Sequence, residues 1–323
     1  MSTGTRDERA EAGTATVCPL CGGRLSDHDA ITTGDRLLGV PGEFTVLECA
    51  ACRSGVTTPF VAETELATLY EGEYGPHDEW SPNLLIRAII KPAKAIYAWH
   101  ALRSQPFSWL EEHDGKLLDV GCGRGEQGQM LKARGWQVEA VEPDPDACAF
   151  VAARGVKAHQ GSLTTVDLED ESFDVVLFHH SLEHVADPNA DLARAFALLK
   201  PGGRVLIAMP NYGCWQRKTF GGDWFNLELP RHRIHFTDAS LRTAVERAGF
   251  DSIESSFGTT LGCLPCSLQY RWWGRLVVRG NLAERVYMAA CALLQPPTAL
   301  LNRLRGGGDV LNLTARKPAG PRG

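Results

Sequence analysis

Four short apolar runs limit what this chain can fold into: KLLDV (116–120), QVEAV (137–141), FDVVLF (173–178) and RVLIAM (204–209). Each has the length and side-chain character of a strand, and the stretches between them, such as GQMLKARG and LARAFALL, carry helical spacing. Strands that alternate with helices and are apolar on both faces build a parallel sheet with helices on either side. With 44 % hydrophobic residues among 323, the chain has ample material for such a core. The expected fold class is therefore α/β. FDSIESS and DVLNLTA add two last strands, the second close to the C-terminus. In LARAFALLKPGG the residues Leu192, Phe196 and Leu199 share one helical face, with Asp187 and Pro188 starting the helix and Gly202 and Gly203 closing it. A second helix, DASLRTAVERAGF, takes Asp238 as its cap.

The run LLDVGCGRGEQGQML sets Gly121, Gly123 and Gly125 directly after a strand and before a helix, where glycine permits a tight turn and close approach of a ligand to the backbone. In VEAVEPDPDA, Glu142 stands at the end of the next strand, where a carboxylate can accept hydrogen bonds from both hydroxyls of a ribose. A dinucleotide fingerprint would place a glycine where Glu126 stands, so NAD is disfavoured. Asp119, just before the turn, repels a pyrophosphate and favours an ammonium or sulfonium group. Together these residues point to a cationic nucleoside.

The ordered set LLDVGCGRG, VEAVEPD, QGSL, FDVVLFHHSLEHVADP and LLKPGGRVLIAMPN resembles the class I S-adenosylmethionine (SAM)-dependent methyltransferases across residues 115–212, and the two final strands extend the match. The resemblance implies a Rossmann-like sheet of seven strands with helices on both faces. It implies that Asp119, Gly121 and Gly123 surround the methionine part of SAM and that Glu142 holds the ribose, with Cys122 and Pro143 in the same cofactor-binding set. Ser162 stands where many relatives have an Asp for the adenine amino group, Leu163 adds a backbone contact, and His179 sits beside the cofactor's amino-acid end. Gly125 reads equally well as a packing residue.

Methyl transfer to a hydroxyl or an acidic carbon needs a base near the donor. If the helix begins at Asp187, residues 179–186 of HHSLEHVADP form a strand end and a loop, and the histidines His180 and His184 need not share a helical face. His180, Glu183 and His184 are the catalytic candidates. His184 is the first choice, with Glu183 as its orienting carboxylate, as the resemblance to sugar C-methyltransferases also implies. LEHV is widespread among methyltransferases of different substrates, so a loop-shaping role stays open beside the catalytic one. In FGGDWFNLELPRHRIHF, the residues Trp224, Arg231, His232 and His235 are substrate-side candidates, each of which also reads as a locally bonded or packed side chain.

Cys18-x-x-Cys21 and Cys49-x-x-Cys52 lie in the knuckle contexts CPLCGG and CAACRSG, a spacing that sets four thiolates around a structural Zn²⁺ with no open coordination position. In form this region is similar to the N-terminal zinc module ahead of methyltransferase domains of sugar and natural-product pathways. The large C-terminal domain of sugar C-methyltransferases does not fit after Asn211. Ribosomal-RNA guanine methyltransferases also begin with a CPLC knuckle, yet complete their site with a histidine. Cys263 and Cys266 have no second pair nearby and read as packing thiols.

These features divide the chain into a disordered leader (1–16), a zinc-ribbon module (17–75), a helical lead-in (82–114), a SAM-binding domain (115–262), a helical insertion or lid (263–308) and a final strand (309–318). The insertion combines arginines, a Trp pair and apolar stretches, so a membrane-peripheral or lipid-linked role is the alternative to a lid. A net charge of −6 and a pI near 5.9 give nucleic acid no general attraction. Without a signal peptide or a run of roughly 18 apolar residues, the chain reads as cytoplasmic. The expected activity is methylation of an O or C atom of a small-molecule, sugar or glycan-type acceptor. The alternatives are a ribosomal-RNA base methyltransferase and a non-catalytic SAM-binding scaffold.

Overall fold

The structure, a computed structural model, describes residues 16–37, 39–61, 115–260, 262–276, 287, 291 and 296–319. The helical lead-in expected over 82–114 lies outside the described residues, as do most of the leader and part of the insertion.

Three strands open the described chain: β1 (Leu25–Thr33), β2 (Phe44–Cys49) and β3 (Gly55–Thr58). An alternating series follows, with β4 (Lys116–Val120), α1 (Glu126–Lys132), β5 (Gln137–Glu142), α2 (Pro145–Ala152), β6 (Lys157–Gln160), β7 (Phe173–His179), α3 (Pro188–Leu198) and β8 (Leu199–Pro210). The remainder holds α4 (Trp215–Phe220), β9 (Ile234–His235), α5 (Asp238–Arg247), β10 (Asp251–Gly258), α6 (Cys263–Trp273) and β11 (Val310–Arg316).

Seven strands form the main sheet in the order β10-β11-β8-β7-β4-β5-β6. Strands β6, β5, β4, β7 and β8 run parallel, and β11 inserts antiparallel between β8 and β10. The interior strands β4 and β7 are buried along nearly their whole length, which is why they read as unbroken apolar runs. The order reverses beside β4, the first strand of the α/β series, whose neighbours are β5 on one side and β7 on the other. That reversal opens a crevice beyond the carboxyl ends of the strands.

Two local expectations need correction. Gly202 and Gly203 do not close α3: the helix stops at Leu198, Leu199 enters β8 at once, and both glycines lie inside that strand. A side chain at Gly203 would stand 2.9 Å from the Lys200 carbonyl, so the strand, not the helix end, needs this glycine. The cap of α5 is Thr237, not Asp238; Thr237 Oγ1 accepts from the Ser240 N–H while Ser240 Oγ accepts from the Thr237 N–H. Strand β6 has no apolar signature. It is an edge strand tied to β5 through Glu139, whose carboxylate meets Lys116 at 2.8 Å, Lys157 at 3.2 Å and His159 at 2.7 Å. By contrast the Asp187 cap holds as expected, its carboxylate accepting from the Asn189 and Ala190 N–H groups.

The second sheet, β1-β2-β3-β9, joins the cysteine region to the remainder of the chain. Its last strand comes from beyond β8, pairing Gly55 with His235 and Val56 with Ile234. The seam is apolar and continuous: Cys18, Leu20, Leu25, Cys49 and Val56 share one core cluster with Leu182, Leu192, Ile234 and Phe236. The CPLC knuckle is also hydrogen-bonded down, because the carbonyls of Pro19 and Leu20 accept from Asn189 Nδ2 and the Leu20 carbonyl from Arg247 Nη1. At its start, α6 packs Cys263 into an apolar cluster with Tyr212, Trp224 and Leu227, while Trp272 and Trp273 at its end are exposed.

Candidate active site and cysteine cluster

The turn after β4 is left-handed at Gly121 (φ 66°), Gly123 (φ 52°) and Gly125 (φ 69°). At Gly121 a Cβ would meet the Ser181 Cβ at 2.6 Å, so the turn lies directly against the loop after β7. At Gly125 a Cβ would meet Val151 at 2.9 Å, a packing constraint. Glu142, at the end of β5, braces the turn: its Oε2 accepts from the Gly123 N–H at 2.7 Å and its Oε1 from the Asp144 N–H at 3.0 Å, across Pro143. Burial pushes the Glu142 carboxyl above its ordinary range, and these two N–H groups oppose the shift.

Asp119, one residue from the end of β4, is buried, and among the described residues its Oδ2 has no hydrogen-bond partner. Burial pushes its carboxyl from 3.8 up to about 7, the Gly128 N–H opposes this, and the charge of Glu142 adds to it. An orphaned buried carboxylate oxygen beside a glycine turn suits a cationic ligand, since an ammonium supplies both the missing hydrogen bond and the missing charge. Cys122 keeps its proton, because burial and then the Asp119 charge push the thiol up. Ser162 is half-buried and clusters with Thr164 and Thr165 through hydroxyl contacts of 3.2 and 3.0 Å. Leu163 has its side chain in the core.

His179 ends β7 with its ring edge-on to His180, the centroids 4.9 Å apart, and burial followed by the His180 charge pulls it down to about 3. His180 adopts a left-handed φ of 53°, uncommon for any residue other than glycine, and its N–H donates to the Ala208 carbonyl of β8. The spacing of HHSLEHV suggested a Glu183–His184 pair. The ion pair within the loop is instead His180 Nδ1 to Glu183 Oε1 at 3.5 Å. Positions three apart in such a turn face each other, and the His184 ring, though near the same carboxylate, has its Nδ1 engaged with the Arg231 carbonyl. His180 has 40 % of its side chain exposed, whereas Glu183 is buried. Burial would lower the His180 pKa, but the Glu183 carboxylate outweighs it and the net shift is upward. Glu183 goes down to about 2, because the surrounding histidines outweigh its burial.

His184 is half-buried, with Nδ1 3.1 Å from the Arg231 carbonyl, and burial followed by the His232 charge pulls it down to about 4. Its ring meets that of His232 edge-on at 4.7 Å. His232 is buried, with Nδ1 3.0 Å from the Asn226 carbonyl and Nε2 3.8 Å from Glu228. Histidines 180, 184 and 232 thus gather around Glu183.

The other three substrate-side candidates lie in the seam with the cysteine region. Arg231 has a fully buried side chain, with Nη1 3.3 Å from Asp35 Oδ2 and Nε 3.8 Å from Glu228. His235 Nε2 lies 3.0 Å from the Thr57 hydroxyl, and that hydroxyl donates to the His232 carbonyl. Trp224 is 1 % exposed. Their sequence pattern does not separate seam from pocket, because the partners Asp35 and Thr57 are 196 and 178 residues away along the chain. An open cleft of about 250 Å³ lies close by, lined among others by Asp35, Arg36, Trp224, Phe225, Glu228 and Tyr270. Sequence reasoning missed Asp35, Ser181 and Glu228. Of these only Glu228 left a signal, four residues before His232.

The four cysteine sulfurs Cys18, Cys21, Cys49 and Cys52 lie within 4.8 Å of one another, with Cys18–Cys52 at 3.7 Å and Cys21–Cys49 at 3.4 Å. Zn–S bonds of about 2.3 Å put the sulfurs of a tetrahedral site roughly 3.8 Å apart, so the quartet suits a zinc ion.

A seven-stranded sheet with β11 reversed, a glycine turn after the first strand of the series and an acidic residue ending the next define the class I methyltransferase architecture. A family of proteins sharing a methyltransferase domain matches residues 92–255, about half of the chain, and the chain belongs to that family. A ubiquinone biosynthesis O-methyltransferase of Xanthomonas axonopodis pv. citri is 30 % identical over 157 residues, covering 46 % of this chain and 66 % of that protein. A probable S-adenosylmethionine-dependent methyltransferase of Mycolicibacterium smegmatis is 29 % identical over 163 residues, covering 50 % of this chain and 61 % of that protein. The chain therefore spans less than two thirds of either relative's length. A SAM-dependent methyltransferase of Archaeoglobus fulgidus superposes with a TM-score of 0.47 at 20 % identity, over 73 % of this chain and 100 % of that one.

Proposed function

We propose that this chain is a SAM-dependent methyltransferase acting on an O or C atom of a small-molecule, sugar or natural-product acceptor, with a structural zinc ion in its cysteine cluster. The observation that carries the reading is the buried Asp119 carboxylate beside the Gly121–Gly123 turn, whose Oδ2 accepts from no described residue, with the Glu142 charge nearby. SAM, when bound, supplies a sulfonium methyl that an in-line nucleophile can take. Asp119 meets the cofactor's ammonium, Glu142 its ribose, the 121–123 backbone lets it approach, and Ser162, Leu163 and His179 border it. Cys122 and Pro143 shape the two turns.

The loop after β7 then supplies the base. His180 is the better placed of the two loop histidines, because it is half-exposed and Glu183 both orients it and raises its proton affinity toward the working range. The acceptor's proton passes to this imidazole as the acceptor atom gains the methyl. His184, half-buried and held neutral, is the second choice. We expect His180→Ala to lower kcat about 100-fold while changing the SAM Kd less than about threefold. A kcat within a factor of three or so of wild type would remove His180 from this role and leave His184→Ala to be measured in the same way.

Asp119 gives the cofactor site a pH dependence of definite sign. Its folded pKa lies above the ordinary value, so in the free protein the neutral carboxyl is favoured, and stability falls as pH rises from about 4 through about 7. Binding an ammonium requires the carboxylate. SAM affinity should therefore rise by up to about tenfold per pH unit below about 7 and level off above it. Calorimetric titrations at several pH values test this; a flat profile in the wild type, or one unchanged in Asp119→Asn, would refute it.

Acceptor class is tested by incubating the full chain with methyl-labelled SAM and cell extract divided into aqueous, lipid and RNA fractions. Label in an aqueous small-molecule fraction is expected. The exposed Trp272 and Trp273, with Leu300 and Leu304 exposed one helical turn apart over 296–304, favour a membrane-borne acceptor as the second reading, which label in the lipid fraction would select. Label in RNA alone would overturn the substrate class, and cofactor binding without turnover in any fraction would leave a SAM-binding scaffold. No helix among the described residues is long and apolar enough to cross a membrane.

A further inference from the structure

Glu183 poses a problem that the base assignment does not solve. It is 2 % exposed, yet neither carboxylate oxygen accepts a hydrogen bond from a described residue. Among the described residues its ion-pair contact is with His180 Nδ1, at 3.5 Å and to a single oxygen. A buried carboxylate with both oxygens short of donors costs several kcal/mol unless a cation compensates it.

Two imidazoles complete the surroundings. One nitrogen from each of His184 and His232, together with one Glu183 oxygen, lies within 4.8 Å of the others. In both rings Nδ1 is at hydrogen-bond distance from a backbone carbonyl, Arg231 for His184 at 3.1 Å and Asn226 for His232 at 3.0 Å. A carbonyl can only accept, so each Nδ1 carries a proton, and in the neutral form of either ring the lone pair stands on Nε2. That is the outer-shell arrangement which orients a metal-ligating histidine. Two fixed imidazoles and one carboxylate, short of a fourth ligand, suit a divalent first-row transition ion such as Zn²⁺, Fe²⁺ or Co²⁺ rather than Mg²⁺ or Ca²⁺, which prefer oxygen.

We propose that Glu183, His184 and His232 form a second metal site, distinct from the cysteine cluster, in which a divalent transition-metal ion binds between the loop after β7 and the segment leading into β9. The site joins two segments that are separate in sequence, and its ion would leave a coordination position for an oxygen ligand. Glu228 Oε2, 3.8 Å from His232 Nε2, stands at its margin. The site does not depend on methyl transfer, and its readout is metal binding.

Full-length protein carrying zinc in its cysteine cluster should be titrated with Co²⁺ and followed by visible absorption. The expected result is one further equivalent bound, with weak ligand-field bands and no thiolate-to-metal charge transfer. Loss of an outer-shell partner typically costs 10–100-fold in metal affinity, so loss of a direct ligand in E183Q or H232Q should weaken Co²⁺ binding by about 100-fold or more. Thermal unfolding without Co²⁺ shows whether each variant folds, and the wild-type titration decides on its own if neither does. The proposal is overturned if the wild type gains no such bands, if the bands it gains carry charge transfer from thiolate, or if both variants fold and bind Co²⁺ as the wild type does.

Discussion

Gly121→Ala should weaken SAM binding by about 100-fold, roughly 2.7 kcal/mol, and lower thermal stability at the same time. Two independent costs meet at this residue. Its φ of 66° is a conformation in which a Cβ costs roughly 1–2 kcal/mol. The new Cβ would also stand 2.6 Å from the Ser181 Cβ, which is rigidly attached to its backbone and cannot swing aside. Relief requires the 121–123 backbone or the loop after β7 to shift, and an overpacked contact of this kind costs typically 1–3 kcal/mol. Either movement displaces the surface that the cofactor would touch, and the second also carries His180 and Glu183 with it, so kcat should fall together with affinity. Gly202→Ala is the matched control: its φ of 81° carries the strain, but nothing lies within 4 Å of the added Cβ. That variant should lose about 1–2 kcal/mol of stability and leave SAM affinity unchanged. A G121A protein that binds SAM within about threefold of wild type would show that the turn does not border the cofactor.

Cys49→Ala should be the most damaging single change outside the turn. Cys49 is fully buried, belongs to the quartet, and sits in the core cluster shared with the main sheet. Structural zinc sites stabilise small modules by roughly 10–16 kcal/mol in peptides, and three remaining thiolates retain only part of that. If at least about 3 kcal/mol is lost, Tm falls by about 10 °C for a domain of this size. Removing the metal with a strong chelator should have the same effect on the wild type. Because β9 completes the cysteine region's sheet and Arg231 is paired with Asp35 across the seam, loosening that region releases the segment bearing His232 as well. Catalytic loss is therefore expected alongside lost stability, although the cysteines lie outside the proposed active site. Metal content by mass spectrometry and a melting curve check the result; unchanged melting in Cys49→Ala would exclude a structural metal there.

Legibility in the sequence followed the range of the interactions. The five parallel strands of the series include four whose burial on both faces, or nearly so, wrote them as apolar runs, while β6 stayed hidden because an edge strand is held by backbone pairing and by the Glu139 ion pairs. Asp187 and Pro188 were readable as a helix start because a cap acts within three residues. Gly202 and Gly203 misled because glycine marks a helix end and a strand bend with the same letter.

At the site, the sequence by itself determined the glycine turn, the positions of Asp119 and Glu142, and the paired cysteine knuckles, since each is a short motif whose chemistry lies within a few residues. The tertiary structure alone decided the rest. It paired Glu183 with His180 rather than His184, brought His232 to the same carboxylate, and committed Arg231 to Asp35. A buried charge takes the partner that packing delivers, and packing here joins Asp35 to Arg231, 196 positions apart, a distance at which no local pattern carries information.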